Sequence, residues 1–181
     1  MKPRGPLMIE HRLIERMLAV VRDQLAIIDK EKGVDPIFID TAVDFIRTYA
    51  DRTHHGKEEE ILFRDLATKS MTFEDQKVMQ ELVDEHKHGR QIVAELAQAK
   101  EDYLEGRQKA LDTIKQKLSA LVEFYPDHIT KEDKVFFPRS EAYLNEEEQE
   151  GMLQEFWEFD RMMIHEKYKS VVDRLGLRGK T

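Results

Sequence analysis

The chain has 181 residues, no cysteine and a formal net charge of −8. The lack of cysteine excludes disulfides, thiolate metal sites and cysteine nucleophiles, and the acidic balance disfavours a general nucleic-acid binder, which normally presents a basic face. No apolar run reaches the ~18 residues that a membrane span needs. We therefore predict a cytoplasmic protein that binds neither nucleic acid nor membranes and forms a single domain over residues 1–181.

Helical periodicity runs through most of the sequence, because apolar residues recur at spacings of three and four. Asp35-Pro36, Thr72 and Asn145 resemble helix starts. The predicted helices cover residues 7–31, 36–68, 73–104, 107–135 and 146–175. Short connections between the first four helices favour an all-α, up-down-up-down four-helix bundle. The fifth predicted helix is a C-terminal extension over residues 145–175, beyond a core at 7–138.

Polar residues interrupt the apolar seam that each of the first four helices turns toward the bundle interior. The seam positions concerned are His11, His55, Glu59, His86, His128 and Glu132. The connection between the first and second helices and the connection between the third and fourth lie at the same end of the predicted bundle. Each of the four histidines lies about 20 residues from that end, or roughly 30 Å along its helix. We therefore expect the four histidines to share one layer inside the bundle.

A metal centre is the simplest reason to bury so many ionisable groups. Without a counter-charge each would cost several kcal/mol, on the order of 2–7. Imidazole nitrogen and carboxylate oxygen suit iron, manganese or zinc, and six ligands exceed what one tetrahedral ion uses. Residues four apart lie on one helical face, so Glu59 and Glu132 are predicted to bridge two ions. The alternative is a structural bundle with neutral histidines in its core.

Three further side chains are candidates for a place in or around this centre. Glu58 and Tyr125 could support the ligands, and His165 on the fifth predicted helix could be an additional ligand. His54 and His88 are predicted to lie at a solvated rim, since each points about 100° away from the seam.

The residues in this pattern resemble the hemerythrin-like family, also called the HHE cation-binding domain. The similarity rests on His11 and the segments HHGKEEEILF (54–63), EHKHGR (85–90) and HITKEDKVFFP (128–138). It covers about residues 7–138 and implies a four-helix bundle around two iron ions with an oxo or hydroxo bridge (Fe–O–Fe). The ligands that the resemblance implies are His11, His55, Glu59, His86, His128 and Glu132.

Two departures from the oxygen carriers of that family stand out. The carriers have two histidines one turn apart on the third helix, whereas here Leu82 precedes His86. Their fourth helix carries His and Asp five residues apart, whereas His128 and Glu132 are four apart. Fewer histidine ligands favour reactivity with O2 or peroxide over reversible carriage.

The sequence therefore predicts a non-haem di-iron protein that binds or senses O2 or another small diatomic molecule, with a signalling or redox protein as a possible partner. A di-iron peroxide or nitric oxide reductase and an iron storage or buffering protein remain alternatives. Zinc or manganese in place of iron is left open, and so is whether the protein is an enzyme.

Overall fold

The computed structural model describes residues 2–178, except for the side chains at position 168 and at positions 170–178. Five long helices account for most of this part of the chain, and it contains no β-strand. They are α1 (Arg4–Glu31), α2 (residues 36–66), α3 (Phe73–Leu104), α4 (residues 110–140) and α5 (Glu146–Arg178). Within the described residues, no helix combines the length and the apolar character that crossing a membrane requires.

The predicted helix starts are confirmed by their capping hydrogen bonds. The Asp35 carboxylate accepts a bond from the backbone N–H two residues on, at 2.9 Å. The Thr72 hydroxyl accepts from the backbone of Asp75 at 3.2 Å. Asn145 and Glu148 exchange two bonds of 2.9 Å each, which satisfies two N–H groups that a helix start leaves free.

The predicted boundaries differ from the observed ones by a few residues, most at α4. This helix begins at Ala110, and it continues past the predicted end at residue 135 to Ser140. Pro138 lies where the π-helical turn Glu132–Phe136 passes directly into the last segment, Phe137–Ser140. A single 3-10 turn, Glu141–Tyr143, then leads to α5.

Two helices depart from α geometry in the region of the predicted polar layer. In α2 the segments Ile46–His55 and Glu58–Phe63 are π-helical, and in α4 the segment Glu132–Phe136 is as well. Hydrogen bonds between residues five apart widen each of these turns. The positions that face the interior therefore no longer follow the 3.6-residue period assumed from the sequence.

The interior consists of two apolar clusters with the polar layer between them. Along α1, Leu7 belongs to one cluster and Ile14 to the other, with His11 between them. Along α3, His86 lies in the same way between Leu82 and Ile92. Helix α4 packs against α1 and α3, α3 also packs against α2, and α5 lies against the two π-helical segments of α2.

Candidate metal centre

Seven side chains meet in the polar layer, and none of them is more than 2% exposed. They form two groups, and within each group the nitrogen and oxygen atoms that could bind a metal lie within 4.8 Å of one another. The first group, here called site A, consists of His11, His54, Glu58 and Glu132. The second group, site B, consists of His55, His86 and His128.

These seven residues hold nearly all the unpartnered polar atoms of the described interior. Ten buried side-chain nitrogen or oxygen atoms of the described residues have no hydrogen-bond partner, and nine belong to this layer. The nine are the Nε2 atoms of all five histidines and the four carboxylate oxygens of Glu58 and Glu132. Each unsatisfied buried group costs about 1–3 kcal/mol. Nine such atoms in one place therefore need a common partner. Metal ions fit that requirement.

The two glutamates lie between the sites and offer one oxygen to each. Glu58 places Oε1 3.6 Å from Nε2 of His54 in site A and Oε2 3.4 Å from Nε2 of His86 in site B. Glu132 places Oε2 3.1 Å from Nε2 of His11 in site A and Oε1 3.3 Å from Nε2 of His128 in site B. Site A can therefore offer two imidazoles and two carboxylate oxygens, and site B three imidazoles and two carboxylate oxygens.

Every histidine of the layer is also oriented from outside it, through its Nδ1 atom. Because an ionised carboxylate only accepts hydrogen bonds, Nδ1–H donates in each pair, which leaves a lone pair on Nε2 for a metal. The pairs are His11 with Asp133 (2.7 Å), His54 with Glu10 (2.9 Å), His55 with Asp51 (3.4 Å), His86 with Glu59 (2.6 Å) and His128 with Glu85 (2.9 Å).

Four of these five pairs form a closed ring around the bundle. Asp133 of α4 orients His11 of α1, and Glu10 of α1 orients His54 of α2. Glu59 of α2 orients His86 of α3, and Glu85 of α3 orients His128 of α4. Each helix thus provides an imidazole to the centre and orients the imidazole of its neighbour.

Without a metal, the charges of the layer set the protonation of its histidines. Burial disfavours the charged form of His11, but the hydrogen bond to Asp133 and the charge of Glu132 outweigh it and raise its pKa to about 10. Burial likewise acts against charging of His86, yet the surrounding glutamates raise its pKa well above the ordinary value. For His55, burial and then the charge of His86 lower the pKa, so this imidazole stays neutral.

The prediction that Glu59 faces the interior is wrong by one residue. Its carboxylate points away from the layer and accepts hydrogen bonds from His86 Nδ1 at 2.6 Å and Arg90 Nη2 at 2.8 Å. Glu58 takes the inward place, and His54, predicted at a solvated rim, is only 1% exposed. The π-helical turns of α2 explain both errors, because the predicted facing assumed an α-helical period.

The other predicted histidines of the core, and Glu132, lie in the polar layer as expected, and their role as ligands stays a prediction. The prediction that His88 is solvated is confirmed. Tyr125 is buried outside both sites, with its ring 6.4 Å from that of His55, and burial raises its pKa. His165 is exposed on α5 and belongs to neither site. The third helix supplies one histidine to the layer, and α2 supplies two, His54 and His55.

Sequence reasoning missed the carboxylates that orient the histidines. A signal was present, since Glu10 and Glu85 directly precede His11 and His86, and Asp133 directly follows Glu132. Which carboxylate bonds to which histidine could not be predicted, because most of these hydrogen bonds join different helices.

A family model described as "Hemerythrin HHE cation binding domain" matches residues 6–163 of the chain. Similar curated proteins include "Uncharacterized protein Rv1995" of Mycobacterium tuberculosis and "Uncharacterized protein Mb2018" of Mycobacterium bovis. Each is 23% identical over 171 residues, which is 94% of this chain and 66% of the relative. The chain therefore spans just under two thirds of the length of these relatives. No solved structure shows a significant match.

Proposed function

Because the chain belongs to the family of hemerythrin HHE cation-binding domains, we propose that it is a non-haem di-iron protein with one iron in site A and one in site B. We further propose that this centre binds O2 or another small diatomic molecule or peroxide, with binding or sensing rather than committed turnover as its task. As in the sequence analysis, we also propose that the protein is cytoplasmic and that its partner is a signalling or redox protein.

The observation that carries this proposal is the set of nine unpartnered buried atoms in one layer. Neutral imidazole nitrogens and carboxylate oxygens are ligands that iron accepts, and their number exceeds the need of a single ion. A bundle with neutral core histidines would instead leave these atoms without partners at a large cost.

Two kinds of residue prepare the centre. Glu58 and Glu132 hold the two sites together, since each offers an oxygen to both. The outer carboxylates fix the tautomer and orientation of each imidazole, an arrangement that raises ligand basicity. When bound, two irons supply redox chemistry and a position that a small molecule can occupy.

The chain offers site A four donor atoms and site B five, so we propose that the small molecule binds at site A. A cavity of about 90 Å³ borders the layer on the side of site B, at His55, beside Tyr125, Gly89 and Arg90. It does not reach site A, and its volume suits a small molecule rather than an organic substrate. Pockets for organic substrates are larger, at about 300–1,000 Å³.

Elemental analysis of untagged, anaerobically purified protein tests the proposal. We expect about two irons per chain, and a change in the absorption spectrum when O2 or nitric oxide is added. His86→Ala should lose iron, whereas His88→Ala removes an exposed histidine two residues away and should retain both ions. Stoichiometric zinc, or no bound metal, would refute the di-iron proposal, and sustained turnover of peroxide or nitric oxide with a reductant would favour a reductase.

A further inference from the structure

A completely buried lysine joins the C-terminal helix to the edge of site A. Lys57 of α2 has 0% exposure, and its Nζ donates to Asp160 Oδ1 of α5 at 2.6 Å and to Glu10 Oε1 of α1. Lysine is almost never fully buried unless its charge is paired. The position of this ammonium group therefore depends on both carboxylates, one of which belongs to α5.

The same contacts continue to a histidine of site A. The second oxygen of Glu10, Oε2, accepts the Nδ1–H of His54 at 2.9 Å. The Nε2 atom of His54 is one of the unpartnered atoms of the layer. A continuous series of charged contacts thus runs from Asp160 through Lys57 and Glu10 to His54.

Helix α5 also packs directly on the turns that carry the groups of site A. A Cβ atom at Gly56 would lie 2.8 Å from Cζ of Phe159, so the helix approaches as closely as glycine allows. A second ion pair, between Arg64 of α2 and Glu155 of α5 at 2.7 and 2.9 Å, holds the same two helices together. That pair involves no histidine, which makes it a natural comparison.

We propose that Lys57 and Asp160 are positioning residues for site A, and that occupation of site A and docking of α5 are therefore coupled. This inference rests on the proposed function. Asp160 holds Lys57, Lys57 holds one oxygen of Glu10, and the other oxygen keeps the imidazole of His54 aimed at the site. Coupling between two events is reciprocal, so filling site A also strengthens the docking of α5.

The forward direction is tested by comparing Asp160→Asn with Glu155→Gln, since each neutralises one carboxylate of α5 that pairs with α2. Both proteins are loaded with ⁵⁷Fe, and iron release to an excess of chelator is followed together with the Mössbauer spectrum. Losing an outer partner of a ligand costs roughly 10–100-fold in metal affinity. We expect Asp160→Asn to release one of the two irons about tenfold faster and to change the signal of one iron only.

In the same experiment Glu155→Gln should leave both irons as in the wild type, and Asp160→Glu, which keeps the carboxylate, should restore most of the retention. Equal release from Asp160→Asn and Glu155→Gln would overturn the coupling and leave the di-iron proposal intact. A wild-type protein that holds no metal would overturn both.

The reverse direction has a reporter in Trp157, the single tryptophan of the chain, which lies on α5 and is 52% exposed. Zinc is redox-inactive, so Zn²⁺ is added to the metal-free protein while tryptophan emission is recorded. We expect a saturable shift in the wild type and in Glu155→Gln and a smaller one in Asp160→Asn. Zinc binding without any shift in the wild type would contradict the coupling.

Discussion

At the scale of single residues, the two nitrogens of each imidazole divide the work of the centre. Nδ1 of every histidine in the layer is paired with a carboxylate outside it, and every Nε2 points into the layer without a hydrogen-bond partner. Glu58 and Glu59 show the same division among carboxylates. The first lies between the sites, and the second orients His86 from outside.

The neighbouring pair Glu58 and Glu59 therefore gives a direct test of the geometry. Glu58→Gln removes a charged group that faces both sites, so we expect the iron content in excess iron to fall from about two per chain to one or fewer. Glu59→Gln removes only an outer partner of His86, so both irons should bind, with affinity at site B reduced roughly 10–100-fold. The measurement is elemental analysis with a competitive chelator titration, and the opposite order would show that Glu59 is the ligand.

Protonation of His11 gives metal binding a pH dependence. Its pKa of about 10 in the folded protein lies above the ordinary value of 6.5, so the imidazole is charged at pH 7. This charge stabilises the metal-free fold fully below pH ~6.5, and the contribution is lost as the pH rises through ~10. A metal needs the neutral imidazole, so binding must displace the proton.

We therefore expect proton release when metal-free protein is loaded at pH 7, and an apparent metal affinity that increases with pH up to about 10. Calorimetry in buffers of different ionisation enthalpy measures the protons released. His88→Ala serves as the control, since an exposed histidine should not change the count. Loading at pH 7 without proton release would contradict a charged His11.

At the scale of helices, the geometry of α2 determines which of its side chains face the polar layer. The helices, their capping residues and the common layer of histidines were predictable. Capping depends on residues close together in the sequence, and the layer depends on the regular spacing of inward-facing positions along each helix. The inward place of Glu58 and His54 was not, because Ile46–His55 and Glu58–Phe63 are π-helical, and the predicted period was α-helical. The partners of the histidines were unreadable for another reason, since the bundle brings them from neighbouring helices.

The close approach of α5 to α2 predicts a contrast between two glycines. Gly56→Ala would place Cβ 2.8 Å from the Phe159 ring, and overpacking of this kind lowers the free energy of unfolding by about 1–3 kcal/mol. Gly151 lies within α5, and beyond the backbone of its own helix an added Cβ would meet nothing within 4 Å, so Gly151→Ala should be neutral or stabilise by up to about 1 kcal/mol. Denaturant unfolding of the metal-loaded proteins measures both, and equal effects would argue against the tight contact.

At the scale of the whole molecule, the polar layer separates two apolar clusters, and the di-iron proposal implies that bound metal stabilises the fold. A ligand that binds only the folded state at 1,000 times its Kd adds about 4 kcal/mol. For a protein of this size that corresponds to about 8–16 °C in Tm. We expect a decrease of this order when the metal is removed, measured by thermal unfolding with and without a chelator. The Glu58→Gln protein should show a smaller difference, and an unchanged Tm in the wild type would point to a bundle that needs no metal.

The closed ring of histidine and carboxylate pairs has a consequence for biogenesis. A partly assembled bundle that lacks one helix loses at least one imidazole and also the carboxylate that orients the imidazole of a neighbouring helix, so ligands from two helices are compromised at once. A nascent chain with three helices in place should therefore capture metal poorly, and tight retention should begin only when the fourth helix docks. Metal uptake would then act as a checkpoint that distinguishes finished molecules from incomplete ones.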